Sequence, residues 1–259
     1  MGIYLIYFVI IVLSNTIGAV SGMGGGVIIK PVLDTFGIHS LAAITFYSSV
    51  AVFTMSISST YKQLKNGIKV NWSQSLFISI GSVIGGVAGN KLFVFLLDFY
   101  GNEREVQLIQ IVLTVVSLGL VLIYTLGSGK TLQLKQPVAY LLVGLFLGGF
   151  STLLGIGGGP INVSLLVFCF GLTMKDATVY SIITIFFSQL AKLVEVGFST
   201  GFGIYDLTML FAIIPAALIG GYLGGVLSGK ISDKAVSKIF VVVVIGVIFI
   251  NIINGIKLF

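Results

Sequence analysis

Apolar runs recur along the whole chain, separated by short loops that hold most of the charge. Their bounds are roughly 3–20, 27–37, 40–60, 73–97, 106–126, 137–154, 160–171, 174–198, 207–227 and 237–256. Most are near the length of about twenty residues that a helix needs to cross the hydrocarbon core of a bilayer. Only 8% of the residues are charged, against about 25% in soluble domains, so this chain could not keep a folded surface in water. Backbone groups in lipid must find partners within their own segment, which favours helices. The expectation is an all-α integral membrane protein.

The formal net charge is +6, but the lysines sit in short loops, where they act as topology signals rather than as a nucleic-acid surface. Lys62, Lys65 and Lys69 fill one loop, Lys130 and Lys135 a second, and Lys230, Lys234 and Lys238 a third. These three are expected to be cytoplasmic. Loops 98–105 and 199–206 are poor in Lys and Arg and should face outward. Residues 1–13 lack a basic leading region and a small-residue cleavage site, so they read as a retained helix rather than a cleaved signal peptide.

Two runs, 27–37 and 160–171, are too short to cross. At 1.5 Å per residue they reach roughly 17 Å, about half of a 30 Å core. Both follow a glycine cluster, and each reads as one arm of a broken or re-entrant helix. The charge pattern requires an odd number of crossings between loops 127–136 and 199–206. A segment over 137–171 that enters and returns satisfies this; a kinked single crossing does not. The same logic puts both termini outside.

The chain also contains two copies of one pattern. Gly22-Met-Gly24-Gly25-Gly26 matches Gly155-Ile-Gly157-Gly158-Gly159 at an offset of 133 residues. In the same register Thr45, Tyr47, Ser48 and Phe53 match Thr178, Tyr180, Ser181 and Phe186. The copies start on opposite sides, so they read as two inverted repeats. Each has a broken, re-entrant Gly-rich helix followed by three transmembrane helices. Residues 1–126 form repeat 1, 127–136 a cytoplasmic linker and 137–259 repeat 2. Such repeats with unwound helices at the midplane recur in secondary transporters.

Consecutive glycines disfavour helix and permit left-handed conformations, so their N–H groups can line a concavity. Short helices beginning near Gly26 and Gly159 would aim their positive ends at the midplane, and Pro160 suits a first turn. Two such ends facing each other form an anion site. The candidate substrate-binding residues are Ser21, Gly22, Gly24, Gly25, Gly26, Tyr47, Ser48, Thr152, Gly155, Gly157, Gly158, Gly159, Asn162, Tyr180 and Ser181. The competing reading is close helix packing for the glycines and interhelical hydrogen bonds for the polar side chains. Packing is the better reading for the spaced set Gly81, Gly85 and Gly89 and for Gly220, Gly221, Gly224 and Gly225. Lys30 lies one turn into the first short helix, and snorkelling to the interface competes there with a role at the site. Lys192 and Glu195 are candidates for ion coupling, or simply a pair with each other. Cys169 and His39 are the sole residues of their types. They leave no material for a disulfide, a Cys-based metal cluster or a haem site, so neither a metal nor any other cofactor is expected. No Ser–His–Asp arrangement or core carboxylate pair suggests an enzyme.

The paired segments Ser21–Gly26 and Leu154–Pro160 resemble the signature of the TauE/SafE sulfite-exporter permeases, and the similarity extends over essentially the whole chain. The resemblance implies a plasma (inner) membrane permease for small sulfur-containing anions such as sulfite, sulfonates or sulfoacetate, driven by a gradient of H+ or Na+. The first copy has Val27 where the second has Pro160, which sets the two loops apart. An anion channel, or a membrane subunit of a larger complex, is the alternative.

Overall fold

A computed structural model describes residues 2–68, 70–127 and 129–258; Lys69 of the first lysine loop lies outside them. Its elements are all helical: α1 (Gly2–Ser21), α2 (Gly26–Phe36), α3 (Leu41–Lys65), α4 (Trp72–Tyr100), α5 (Glu103–Leu126), α6 (Pro137–Leu153), α7 (Pro160–Phe170), α8 (Met174–Phe198), α9 (Leu210–Lys230) and α10 (Asp233–Lys257). A 3-10 turn, Leu207–Met209, leads into α9. Seven of these are long and apolar enough to cross a membrane, and α6 and α7 are the shorter apolar helices. Large apolar side chains cover the outside of the bundle, among them Leu120, Ile123, Phe211 and Phe249. That surface suits lipid.

Turn chemistry sets the helix ends. Asn71 and Ser40 cap α4 and α3 by accepting Gln74 N and Ala43 N, and Gly101 and Gly37 end α4 and α2 in the left-handed conformation. The two short helices fold back on their predecessors. Tyr7 Oη near the start of α1 lies 2.7 Å from Nδ1 of His39, just beyond α2. At the other end of the bundle, Leu132 N and Leu134 N of the 127–136 linker donate to the carbonyls of Phe168 and Cys169 at the end of α7, both at 2.8 Å. Each pair, α1–α2 and α6–α7, therefore begins and ends at one end of the bundle.

The lysine-rich loops gather at one end. Asn66 Nδ2 donates to Gly225 O (2.8 Å) and Lys175 N to Asp233 Oδ1 (2.9 Å). The opposite end holds the start of α1, the α2–α3 and α4–α5 turns and residues 199–208. There Tyr4 Oη meets Thr208 Oγ1 at 2.8 Å and Leu41 N donates to Glu103 Oε2 at 3.0 Å.

Glycines let the main helices cross backbone to backbone. A Cβ on Gly81, Gly85 or Gly89 of α4 would strike the main chain of α6 at Leu141, Leu145 and Gly149. In the other half, Gly220 and Gly224 of α9 sit against Val12–Ala19 of α1, and Gly221 and Gly225 against Met55–Lys62 of α3. So α4 packs on α6 while α9 packs on α1. Between them α3 and α8 cross near their centres, where Phe53 and Phe186 stack with centroids 5.2 Å apart.

Candidate functional site

The chain unwinds between α1 and α2 and again between α6 and α7. The backbone is left-handed at Gly22 (φ 74°) and Gly24 (φ 72°) in the first break, and at Gly155 (67°), Gly157 (64°) and Gly158 (138°) in the second. A side chain at any of these would add strain, so glycine is dictated by conformation here. The register differs at the next pair. Gly25 is right-handed (φ −68°) and Gly26 opens α2, whereas Gly159 is extended.

The two breaks touch. A Cβ on Gly26 would overlap the carbonyl of Ile156 and lie 2.8 Å from Ser48 Oγ. One on Gly158 would stand 3.1 Å from Met23 O, and one on Gly24 would be 3.6 Å from Gly157 O. Each break also leans on the opposite crossing helix: Gly22 packs against Thr178 of α8, and Gly155 against Thr45 of α3. Val52, one residue before Phe53 near the centre of α3, touches both Gly24 and Gly157, so the contact lies at mid-helix depth.

At this junction the first-turn N–H groups of two helices have no partner within their own helices. In α2 the carbonyl of Gly25 accepts from Ile28 N and Ile29 N (3.0 and 2.9 Å), leaving Gly26 and Val27 outside that ladder. Pro160 removes one such donor from α7, so the second helix end is the poorer. Around the tips are buried side-chain donors without a protein partner: Thr45 Oγ1, Ser48 Oγ, Thr152 Oγ1 and Asn162 Nδ2. Each unpaired buried group costs about 1–3 kcal/mol. The arrangement is therefore predisposed to a ligand with several acceptor oxygens. Orphaned acceptors are present too, Asn15 Oδ1 beside Gly25 and Gln189 Oε1 beside Gly157.

Of the remaining candidates, Ser181 donates to Gly22 O at 2.6 Å and fastens the first break. Ser21 is spent on Ile17 O, one turn back in α1, at 2.8 Å. Tyr47 and Tyr180 point away from the tips. Tyr47 Oη donates to Asp206 O at 3.1 Å, while Tyr180 Oη accepts from Asn71 N at 2.6 Å, at opposite ends of the bundle. Lys30 is not snorkelling: it is 4% exposed, ion-paired to Asp34 at 2.9 Å, and its Cε flanks Gly155. Lys192 and Glu195 do not pair with each other. Lys192 Nζ donates to Ser49 Oγ (2.8 Å), and the Glu195 carboxylate takes Asn90 Nδ2. The sequence reading did not single out Thr45, Asp34, Asn90, Asn15 or Gln189. For Thr45 the shared register with Thr178 was the available signal, and for Asp34 its i, i+4 spacing from Lys30.

Small voids flank the second break, each about 10 Å³ and so water-sized; one lies beside Gly158, Gly159 and Asn162, the other beside Lys30, Asp34 and Ile156. A cavity of about 190 Å³ runs from Asp98, Thr200 and Tyr205 at one end of the bundle to Thr45, Asn90 and Lys192 inside it. A further void, about 460 Å³, is an apolar groove between α5, α6 and α7 and holds none of the donors above.

These features define a class: a polytopic helical membrane protein whose broken helices meet at mid-depth, an architecture of transport proteins. The sequence profile of the family described as Sulfite exporter TauE/SafE matches residues 7–251, so the chain belongs to that family. A comparison with curated proteins returned no match. Membership places the chain among multi-pass membrane anion transporters rather than enzymes.

Proposed function

We propose that the chain is a secondary active transporter of small anions of the sulfite, sulfonate or sulfoacetate type, working by alternating access around the junction of the two glycine breaks. The observation that carries this reading is the contact of two unwound helix ends at mid-depth, among buried hydroxyl and amide donors that lack protein partners. Hydrogen-bond donors and helix N-termini hold an oxyanion without a full buried counter-charge. On this reading residues 1–126 and 137–259 act as inverted repeats joined by a cytoplasmic linker, 127–136. The paired packing of α4 on α6 and α9 on α1, and of Gly22 on Thr178 and Gly155 on Thr45, supports that exchange. Both termini then lie outside an inner (plasma) membrane, with flux driven by a gradient of H+ or Na+. Lys192 and Glu195 are the candidates for coupling to that ion.

Two serines at equivalent positions test the site. Ser48 has no partner, so Ser48→Ala should leave thermal stability unchanged or slightly higher while weakening sulfite binding by about two- to tenfold. Ser181→Ala removes the bond to Gly22 O and should lower stability by about 1 kcal/mol. In proteoliposomes, sulfite accumulation should require an imposed ion gradient. Unaltered sulfite affinity in Ser48→Ala, or flux indifferent to any gradient, would overturn the proposal.

A further inference from the structure

Two lysine side chains are buried among the described residues, Lys30 and Lys192. Lys30 is neutralised by Asp34 at 2.9 Å. Lys192, 2% exposed, is not: its Nζ donates to Ser49 Oγ, and among the described residues no carboxylate oxygen comes within 4.0 Å of it. A buried ammonium with a single neutral partner is under-compensated. Glu195 could compensate it from one turn further along α8, but Asn90 of α4 holds that carboxylate instead.

Lys192 also lines the interior of the 190 Å³ cavity, together with Thr45 and Asn90. Water occupies about 30 Å³ in the liquid, so that space admits a partly hydrated oxyanion. Thr45 connects the cavity to the junction, because the residue lines the cavity while its hydroxyl, which has no partner of its own, lies against Gly155. Ser49 continues the link, donating to Thr45 O at 2.7 Å. The ionisable groups facing this space are Asp98 and Tyr205 at the mouth and Lys192 within; Glu195 stands behind Asn90, and the Lys30 side chain, paired with Asp34, reaches Gly155 beside Thr45. At the offset of 133 residues Lys192 corresponds to Ser59, whose hydroxyl accepts from Gln63 Nε2 at 2.9 Å. The cation is confined to one end of the path.

We propose that this cavity is an anion antechamber, in which Lys192 and Thr45 bind an incoming oxyanion before it reaches the glycine junction, and in which Asn90 is a positioning residue that keeps Glu195 from quenching Lys192. This rests on the transporter reading and adds to it a second, one-sided binding position. Free anion and Glu195 compete for the same ammonium. Releasing Glu195 therefore weakens anion binding, and neutralising Glu195 strengthens it.

The test uses the full-length protein in detergent, titrated calorimetrically with sulfite and with sulfate, with thermal unfolding as the check on folding. Lys192→Gln should weaken sulfite binding about tenfold or more, as loss of a charge-assisted contact does. Asn90→Leu should weaken it severalfold, the double variant Asn90→Leu/Glu195→Gln should recover it, and Glu195→Gln alone should bind at least as tightly as the parent. A purely structural role for Asn90 would not produce that recovery. If Asn90→Leu fails to fold, the Lys192→Gln and Glu195→Gln pair decides by opposite signs. Unchanged affinity in Lys192→Gln, weaker binding in Glu195→Gln, or no recovery in a folded double variant overturns the antechamber and leaves the junction reading standing. A parent protein that binds neither anion and transports none overturns both.

Discussion

Gly26→Ala isolates the contact between the two breaks. Gly26 is the first residue of α2 and has no positive φ, so alanine fits its backbone. In a helix whose surroundings were open, the change would stabilise by about 1 kcal/mol through helix propensity. Here the new methyl would overlap the Ile156 carbonyl and crowd Ser48 Oγ at 2.8 Å. The obstructing atom is main chain and cannot turn aside as a side chain would. A relaxed C···O separation of about 3.5 Å would require the breaks to part by roughly 1 Å or more. Overpacking of that kind costs about 1–3 kcal/mol, with the rigid neighbour arguing for the upper end. Subtracting the propensity gain leaves a net loss of about 2 kcal/mol. Gly119→Ala, in α5 with nothing within 4 Å of the added atom, is the matched control; it should be neutral or gain up to about 1 kcal/mol. Thermal unfolding in detergent reads the first effect and sulfite flux in proteoliposomes the second. If Gly26→Ala is as stable as Gly119→Ala and transports at the parental rate, the breaks do not meet, and the argument for a shared junction fails.

Two further outcomes follow from charged groups. Lys30→Met leaves Asp34 buried without its partner and should cost about 3–5 kcal/mol, whereas Lys30→Met/Asp34→Leu should return close to the parent; equal unfolding temperatures for the single and double variants would refute a tight buried pair. Asp206 accepts from Thr208 Oγ1 (2.6 Å) and Thr208 N (3.0 Å), which holds its carboxyl below the ordinary 3.8. A depressed folded-state pKa gives stability that is complete above 3.8 and fades as pH falls through the lower, folded value. Amide exchange of residues 199–209 should therefore rise in acid below 3.8, and in Thr208→Val it should be faster already at neutral pH and depend less on acid.

The helices were legible because charge and turn residues bracket apolar runs. The 174–198 run coincides with α8, and 137–154 overshoots α6 by one residue. At α4 the run 73–97 extends to Trp72–Tyr100, since Asn71 and Gly101 supply the caps and interfacial aromatics continue the helix. The returning hairpins were legible from charge parity and the length of the short runs. Side-chain direction was not. A shared register shows that Tyr47–Ser48 and Tyr180–Ser181 are equivalent, but neighbouring residues on a helix point about 100° apart. Ser48 and Ser181 thus face the breaks while the tyrosine hydroxyls reach loops at the two ends. Nor could spacing alone assign partners to Lys192 and Glu195. The side chains that take them, Ser49 and Asn90, are 143 and 105 residues away.

The exchange between the halves is close at the glycines and fails at the charges. Val163 stands opposite Lys30 in register and Ser59 opposite Lys192. Lys30 lies one turn beyond the tip of α2, toward Gly37, and Lys192 lies past the centre of α8, toward Ser199. Both therefore belong to the half of the path that ends at residues 98–102 and 199–208. A backbone able to swap the conformations of two equivalent halves would favour neither if the side chains were also equivalent. On the proposed transporter reading, Lys192 breaks that balance for an anion, since Lys30 is neutralised by Asp34 while Lys192 has no carboxylate partner; affinity is then higher when the path opens on that side. A ligand shifts a conformational equilibrium only by its differential affinity for the two states. Bound anion should accordingly stabilise the form open toward residues 98–102, while the direction of net flux remains set by the gradients across the membrane.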